Sequence, residues 1–245
     1  SGLNNANFAT PPDGTAPRMQ MFEFNITSPR RDGDFENQII IHEYGHGVSN
    51  RLTGNGNGLF ALQSGGMGEG WSDFWALMLT QKSASETTTG RGAGSYLLGQ
   101  PLNGPGIRDF RYDFDIGNVN EETFLDFGTG SGQSVAVHDA GTRWAAVLWD
   151  LNHLLTERYG FEPNVYNSNS DAGNIKALHL VMNALKIQPL NPTFIQARDA
   201  ILAADELLYG GANILEIWTA FARRGLGQFA STSGANSTVL STSFV

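Results

Sequence analysis

Residues 42–46 read His-Glu-Tyr-Gly-His. Two histidines four apart lie on one face of an α-helix, so both imidazoles reach a common point and can share one metal ion. Glu43 follows the first histidine and can reach a water held by that metal, which is what metal-assisted hydrolysis requires. The competing reading is two solvated or core histidines on an ordinary helix. A third ligand separates the two, because catalytic zinc takes three protein side chains and keeps a fourth position open for water. Glu69 stands 23 residues after His46, in the run Gly-Gly-Met-Gly-Glu-Gly-Trp-Ser-Asp over 65–73. A connection of that length lets a second helix lie beside the first and present the carboxylate. Asp73, one turn further on the same face, is placed to accept a hydrogen bond from the free ring nitrogen of a ligating histidine and so to fix its tautomer. Gly45, Gly47, Gly68 and Gly70 cost helix propensity, so their presence predicts close backbone approach around this site.

Those side chains need two helices to hold them. Apolar residues Ile41, Tyr44, Val48 and Leu52 fit one helical face over 35–52, with Asp32-Gly33-Asp34 as its start and Gly54 as its stop. The second helix is expected over 68–82. Residues 1–31 hold a Pro-Pro-Asp-Gly turn and partial strand alternation over 19–25. From 83 to 134 the chain reads as irregular and carries Asp109, Asp113, Asp115, Glu121, Glu122 and Asp126. Helical spacing returns with Val137, Gly141, Trp144, Leu148, Leu151 and Leu155, then over 172–187, 192–208 and 214–224. Asn191 is the expected N-cap of the third of these, with Pro192 in its first turn. His153 and His179 sit on helices without matching partners and read as structural.

The 245 residues are read as a single domain with three parts: 1–53, 54–134 and 135–245. Formal net charge is −9, which argues against nucleic acid and anionic membranes as partners. No apolar run is long enough to span a bilayer. The chain has no cysteine, so any metal must be held by histidines, carboxylates or backbone oxygens.

These motifs resemble the fungalysin family of secreted zinc metallopeptidases, relatives of the thermolysin-like enzymes. The likeness also runs through Asn-Asn-Ala-Asn-Phe-Ala-Thr-Pro-Pro-Asp-Gly at 4–14, Arg-Asp-Gly-Asp at 31–34 and the segment 218–227. It implies an α+β, mostly helical, thermolysin-like catalytic domain with a helical C-terminal lobe and a zinc ion in the cleft. His42, His46 and Glu69 would be the ligands and Glu43 the general base. Family domains carry a β-rich stretch ahead of the Asn-Asn-Ala-Asn-Phe segment, on which this chain almost begins, so the N-terminal β portion is expected to be shortened.

The same resemblance supplies expectations for the substrate. Asn5 and Ala6 are similar to the edge strand that binds the peptide backbone by β-addition. His138 looks like the transition-state histidine of the thermolysin-like enzymes. Tyr112 is the substitute, by family pattern, for a second oxyanion donor; a strand tyrosine packing its ring is the alternative. Arg108 is a candidate for holding a substrate carbonyl, with an ion pair to Asp109 or Asp113 as its alternative. Calcium is a second candidate ion, in the acidic stretch from Asp109 to Asp126, although no EF-hand spacing occurs there; a solvated acidic loop is the other reading. The implied protein is a secreted endopeptidase acting on proteins or peptides, with a propeptide in its precursor. A zinc aminopeptidase and a catalytically impaired zinc-stabilised binding domain are the alternatives.

Overall fold

The computed structural model describes residues 2–128 and 136–245. Eight helices are assigned there: α1 (Asn37–Leu52), α2 (Leu62–Thr80), the one-turn α3 (Glu86–Thr89) and α4 (Val119–Glu122), α5 (Val137–Tyr159), α6 (Gly173–Ile187), α7 (Phe194–Tyr209) and α8 (Ile214–Arg223). Among the described residues, strands β1 (Ala6–Ala9), β2 (Arg18–Met21), β3 (Glu23–Phe24), β4 (Arg31–Asp32), β5 (Ser231–Thr232) and β6 (Leu240–Ser241) form three antiparallel ribbons, β1–β2, β3–β4 and β5–β6. About half of the chain is helical and its sheets are small, which is compatible with a helical peptidase domain. The boundary expected at 134–135 touches residues outside those described.

The start of α1 is set locally. Asp32 caps a 3-10 turn over Gly33–Phe35 by accepting from the Asp34 N–H, and Glu36 then caps α1 by accepting from the Gln38 N–H at 3.2 Å. The helix thus begins two residues later than the apolar spacing predicts.

The second helix departs further from expectation, beginning at Leu62 rather than at 68. Its N-cap, Ala61, supplies no side-chain hydrogen bond. The leading N–H groups are satisfied from far along the chain instead. Asn191 Oδ1 accepts from the Phe60 and Ala61 N–H groups, and Asn236 Oδ1 from that of Leu62. Asn191 is therefore not the cap of α7. It sits at φ +48°, a conformation asparagine tolerates, while Thr193 and Gln196 form the capping box of α7.

Four glycines in α2 each cost about 1 kcal/mol relative to alanine. Close packing on α5 offsets part of this: a Cβ on Gly70 would lie 2.5 Å from the Gly141 carbonyl oxygen, and one on Gly66 2.6 Å from Ala140 Cβ. Gly45 and Gly47 are likewise crowded, by Ser72 and by the Phe8 ring. Gly68 departs from the expected pattern, since a Cβ there would meet nothing within 4 Å.

Behind this seam lies the main core. Trp71 meets Trp144 edge-on at 5.9 Å, and Trp144 in turn contacts Phe194 and Phe221. α8 is tied to α5 by a wholly buried ion pair. Arg224 donates from Nε and Nη2 to the Asp150 carboxylate, both at 2.8 Å, and also binds the Asp113 and Glu122 carbonyls.

Candidate metal centre

The turn spacing of α1 sets His42 and His46 with ring centroids 4.8 Å apart and nearly perpendicular. α2 brings Glu69 opposite them. Its Oε2 lies 3.2 Å from His42 Nε2, and its Oε1 lies 3.6 Å from His46 Nε2. Ligand atoms of the three residues all fall within 4.8 Å of one another, and among the described residues this is the one group of its kind. Glu69 Oε2 is buried yet accepts no hydrogen bond. A buried carboxylate oxygen without a hydrogen bond, on a carboxylate whose two oxygens face the Nε2 atoms of His42 and His46, fits a coordinated cation better than a hydrogen-bonded core. The nitrogen–oxygen donor set suits a divalent transition metal.

Charges around the group follow from burial and pairing. Burial alone would lower the His42 pKa, but the carboxylates of Asp73 and Glu69 outweigh it and lift it to about 9. His46 is held down to about 4 by burial and by the charge of His42. Burial would raise Glu69, yet the neighbouring histidines bring it to about 2. Glu43 is pushed up to about 7 by burial, with partial opposition from His42.

Asp73 sits one turn along α2 and accepts four hydrogen bonds. His42 Nδ1 approaches Oδ1 at 2.7 Å, Arg108 donates from Nε at 2.7 Å and from Nη2 at 2.8 Å, and the Tyr112 hydroxyl donates to Oδ2. Against the cost of burial, Arg108 and His42 keep this carboxyl far below the usual carboxylate range. Arg108 thus pairs with Asp73 rather than with Asp109 or Asp113, and its side chain is only 6% exposed. Tyr112 is fully buried. The expectation of an oxyanion donor at Tyr112 is corrected accordingly: the phenol stands behind Asp73, on the side away from solvent, and does not line the cleft.

That cleft has a volume of about 660 Å³ and brings together Asn5, Ala6, His42, Glu43, His46, Glu69, Arg108 and His138. His138 opens α5 with its side chain 63% exposed and Nε2 3.5 Å from Glu69 Oε2. β1 pairs with β2 in the register Ala6↔Met21 to Ala9↔Arg18, and among the described residues its other edge carries no strand. Sequence reasoning missed what holds this segment. Asn4, at φ +54°, exchanges two hydrogen bonds with Asn25, at 2.8 and 2.9 Å. It also missed the apolar wall formed by Phe24, Ile26, Ile39, Leu98 and Ile107. Only Ile39 could have been found, as the residue one turn before His42 on α1.

The acidic stretch does not gather around a point. Asp113 pairs with Arg111 and Asp126 with Arg143, while Glu122 accepts from the Gly117 and Asn118 N–H groups. His153 bonds Thr87 Oγ1 through Nδ1, and His179 Nδ1 lies 3.3 Å from the Tyr209 hydroxyl, both away from the cleft.

Comparison with known proteins agrees with this chemistry. A family model described as fungalysin metallopeptidase (M36) matches residues 1–230. The extracellular metalloproteinase mep of Aspergillus fumigatus is 45% identical over 245 residues, 96% of this chain and 37% of that protein. Extracellular metalloproteinase 4 of Arthroderma gypseum is 44% identical over 236 residues, 93% of this chain and 36% of that protein. An extracellular metalloproteinase of Pyrenophora tritici-repentis is 44% identical over 244 residues. The chain spans little more than a third of the length of these curated relatives.

Proposed function

The chain belongs to the fungalysin metallopeptidase family, and from that premise we propose that it is the catalytic portion of a secreted zinc endopeptidase. The observation that carries the reading is the convergence of His42, His46 and Glu69 beside Glu43, in a cleft that an unpaired strand edge also lines. Zinc held there would polarise the scissile carbonyl and acidify a water molecule.

The chain's own groups then divide the work. Glu43 takes the proton of the attacking water and returns it to the departing amine, and its burial favours the protonated form relative to an exposed carboxylate. His138, exposed at the start of α5, donates to the developing oxyanion. The free edge at Asn5 and Ala6 pairs with the substrate backbone, and Arg108, where it reaches the cleft, meets a substrate carbonyl. The apolar wall of Phe24, Ile39, Leu98 and Ile107 favours an apolar substrate side chain. Extracellular action is proposed by analogy with the extracellular metalloproteinases it resembles.

The test is hydrolysis of a peptide blocked at both ends, with and without a zinc chelator, by the chain and by its Glu43→Gln variant. Glu43→Gln should retain stoichiometric zinc and lose at least about 1,000-fold in kcat. Zinc binding with every blocked peptide left intact would remove the endopeptidase reading, and cleavage of free N-termini alone would replace it with an aminopeptidase.

A further inference from the structure

Tyr112 is immobilised to a degree that ring packing alone does not require. Both of its backbone groups pair with Arg91, at 2.8 and 2.7 Å. Arg91 is itself buried and donates to the carbonyl and hydroxyl of Thr80, at the last turn of α2, and to Glu86. The phenol is thereby braced from the end of α2 and returns its hydroxyl to Asp73, in the middle of the same helix.

Donors are shared evenly between the two oxygens of Asp73. Oδ1 takes His42 Nδ1 and Arg108 Nη2, whereas Oδ2 takes Arg108 Nε and the Tyr112 hydroxyl. A carboxylate has about four lone-pair sites, so the set is complete. Without the phenol, Oδ2 is held by Arg108 alone, and the carboxylate keeps three of its four donors, set less firmly against His42. His42 Nδ1 would then face a less firmly fixed acceptor, the one that holds a proton on that nitrogen and leaves Nε2, toward Glu69, as the atom to bind metal. On its other side the phenol lies beside Thr142, whose own hydroxyl donates to the His138 carbonyl at 2.8 Å.

We propose that Tyr112 is a positioning residue for the metal centre: its hydroxyl locks Asp73, and through Asp73 it holds His42 in the tautomer and orientation that bind metal. This rests on the reading of His42, His46 and Glu69 as metal ligands. Partners one shell outside a ligand typically contribute 10- to 100-fold to metal affinity. Tyr112 lies one hydrogen bond further out than Asp73, so the low end of that range, about tenfold, is expected.

The experiment is zinc affinity by competition with a chromophoric chelator, on the wild-type chain, Tyr112→Phe, Asp73→Asn and the double variant, with metal-free melting recorded for each. Tyr112→Phe keeps the ring, so the fold should persist, and its zinc Kd should rise about tenfold. Asp73→Asn should weaken zinc at least as much, and the double variant should match Asp73→Asn, because the phenol has then lost what it acts through. Unchanged zinc affinity in Tyr112→Phe would overturn the proposal, whether or not melting falls. Multiplying effects in the double variant would also overturn it. If Asp73→Asn does not fold, exchange of the His42 Nδ1 proton followed by NMR takes its place. Faster exchange in Tyr112→Phe supports the proposal and equal exchange refutes it. A wild-type chain that binds no zinc would instead defeat the underlying metal-site reading.

Discussion

Replacing Gly68 or Gly141 by alanine should change stability in opposite directions, although both lie inside helices at the heart of the site. At Gly68 a Cβ meets nothing within 4 Å, so alanine brings only its helix propensity, about 1 kcal/mol. For a chain of this size that raises Tm by roughly 2–4 °C. At Gly141 the added Cβ would lie 2.5 Å from Glu69 Cβ, 2.8 Å from the Gly66 carbonyl oxygen and 2.9 Å from the Gly70 nitrogen. Two of these are backbone atoms, so α5 and α2 must separate. Overpacking of this kind costs about 1–3 kcal/mol, and with backbone as the obstacle the upper end applies. Less the propensity gain, Gly141→Ala should destabilise by about 2 kcal/mol, lowering Tm by roughly 4–8 °C. Because one crowded atom belongs to Glu69, Gly141→Ala should also weaken zinc binding, while Gly68→Ala should not. Melting of the metal-free proteins by circular dichroism, followed by zinc titration, reads both effects. Shifts of the same sign, or a stabilised Gly141→Ala, would refute the argument that the α2–α5 seam positions the ligand.

Zinc binding at pH 8 should release about one proton. His42, with its pKa near 9, is then protonated on both nitrogens, and Nε2 must lose its proton to coordinate, whereas Glu43, near 7, is already ionised. Binding heats in buffers of different ionisation enthalpy measure this, and identical heats would refute it. Asp150→Ala leaves the Arg224 guanidinium buried without its carboxylate and should cost about 3–5 kcal/mol. A urea midpoint within error of wild type would show that the pair does not hold α8 to α5. Asn191→Ala removes the acceptor for the Phe60 and Ala61 N–H groups at the entry to α2 and strains a positive φ, so it should cost about 2 kcal/mol. Asn191→Gly relieves the strain alone, and denaturant unfolding should place it between the two.

Local chemistry was legible wherever a signal repeats at helical spacing. The pairs His42/His46 and Glu69/Asp73 each stand four residues apart, which places them on shared faces before any packing is known. The sequence pattern likewise located α1, α6, α7 and α8 to within two residues at each end, and α5 at its start. The beginning of α2 was not legible, because a helix that opens Leu-Gln-Ser-Gly-Gly has no capping residue of its own. Its caps lie about 130 and 174 residues away, at Asn191 and Asn236. Asn191 beside Pro192 and ahead of an apolar helix looks like the cap of that helix, and nothing local reveals that its side chain turns to another.

Residue type and spacing alone thus singled out His42, His46 and Glu69 as a group able to hold a metal, with Glu43 beside it as the proposed base. Tertiary structure decided everything about them that depends on a partner distant in the chain. It gave Asp73 its four donors, committed Arg108 to that carboxylate and turned Tyr112 inward. It also brought β1, 36 residues before His42, to the wall of the same cleft. The physical reason is that ligand character is carried by the side chain and the helical period. Burial, pairing and the side a group faces are instead set by elements that meet only when the core closes.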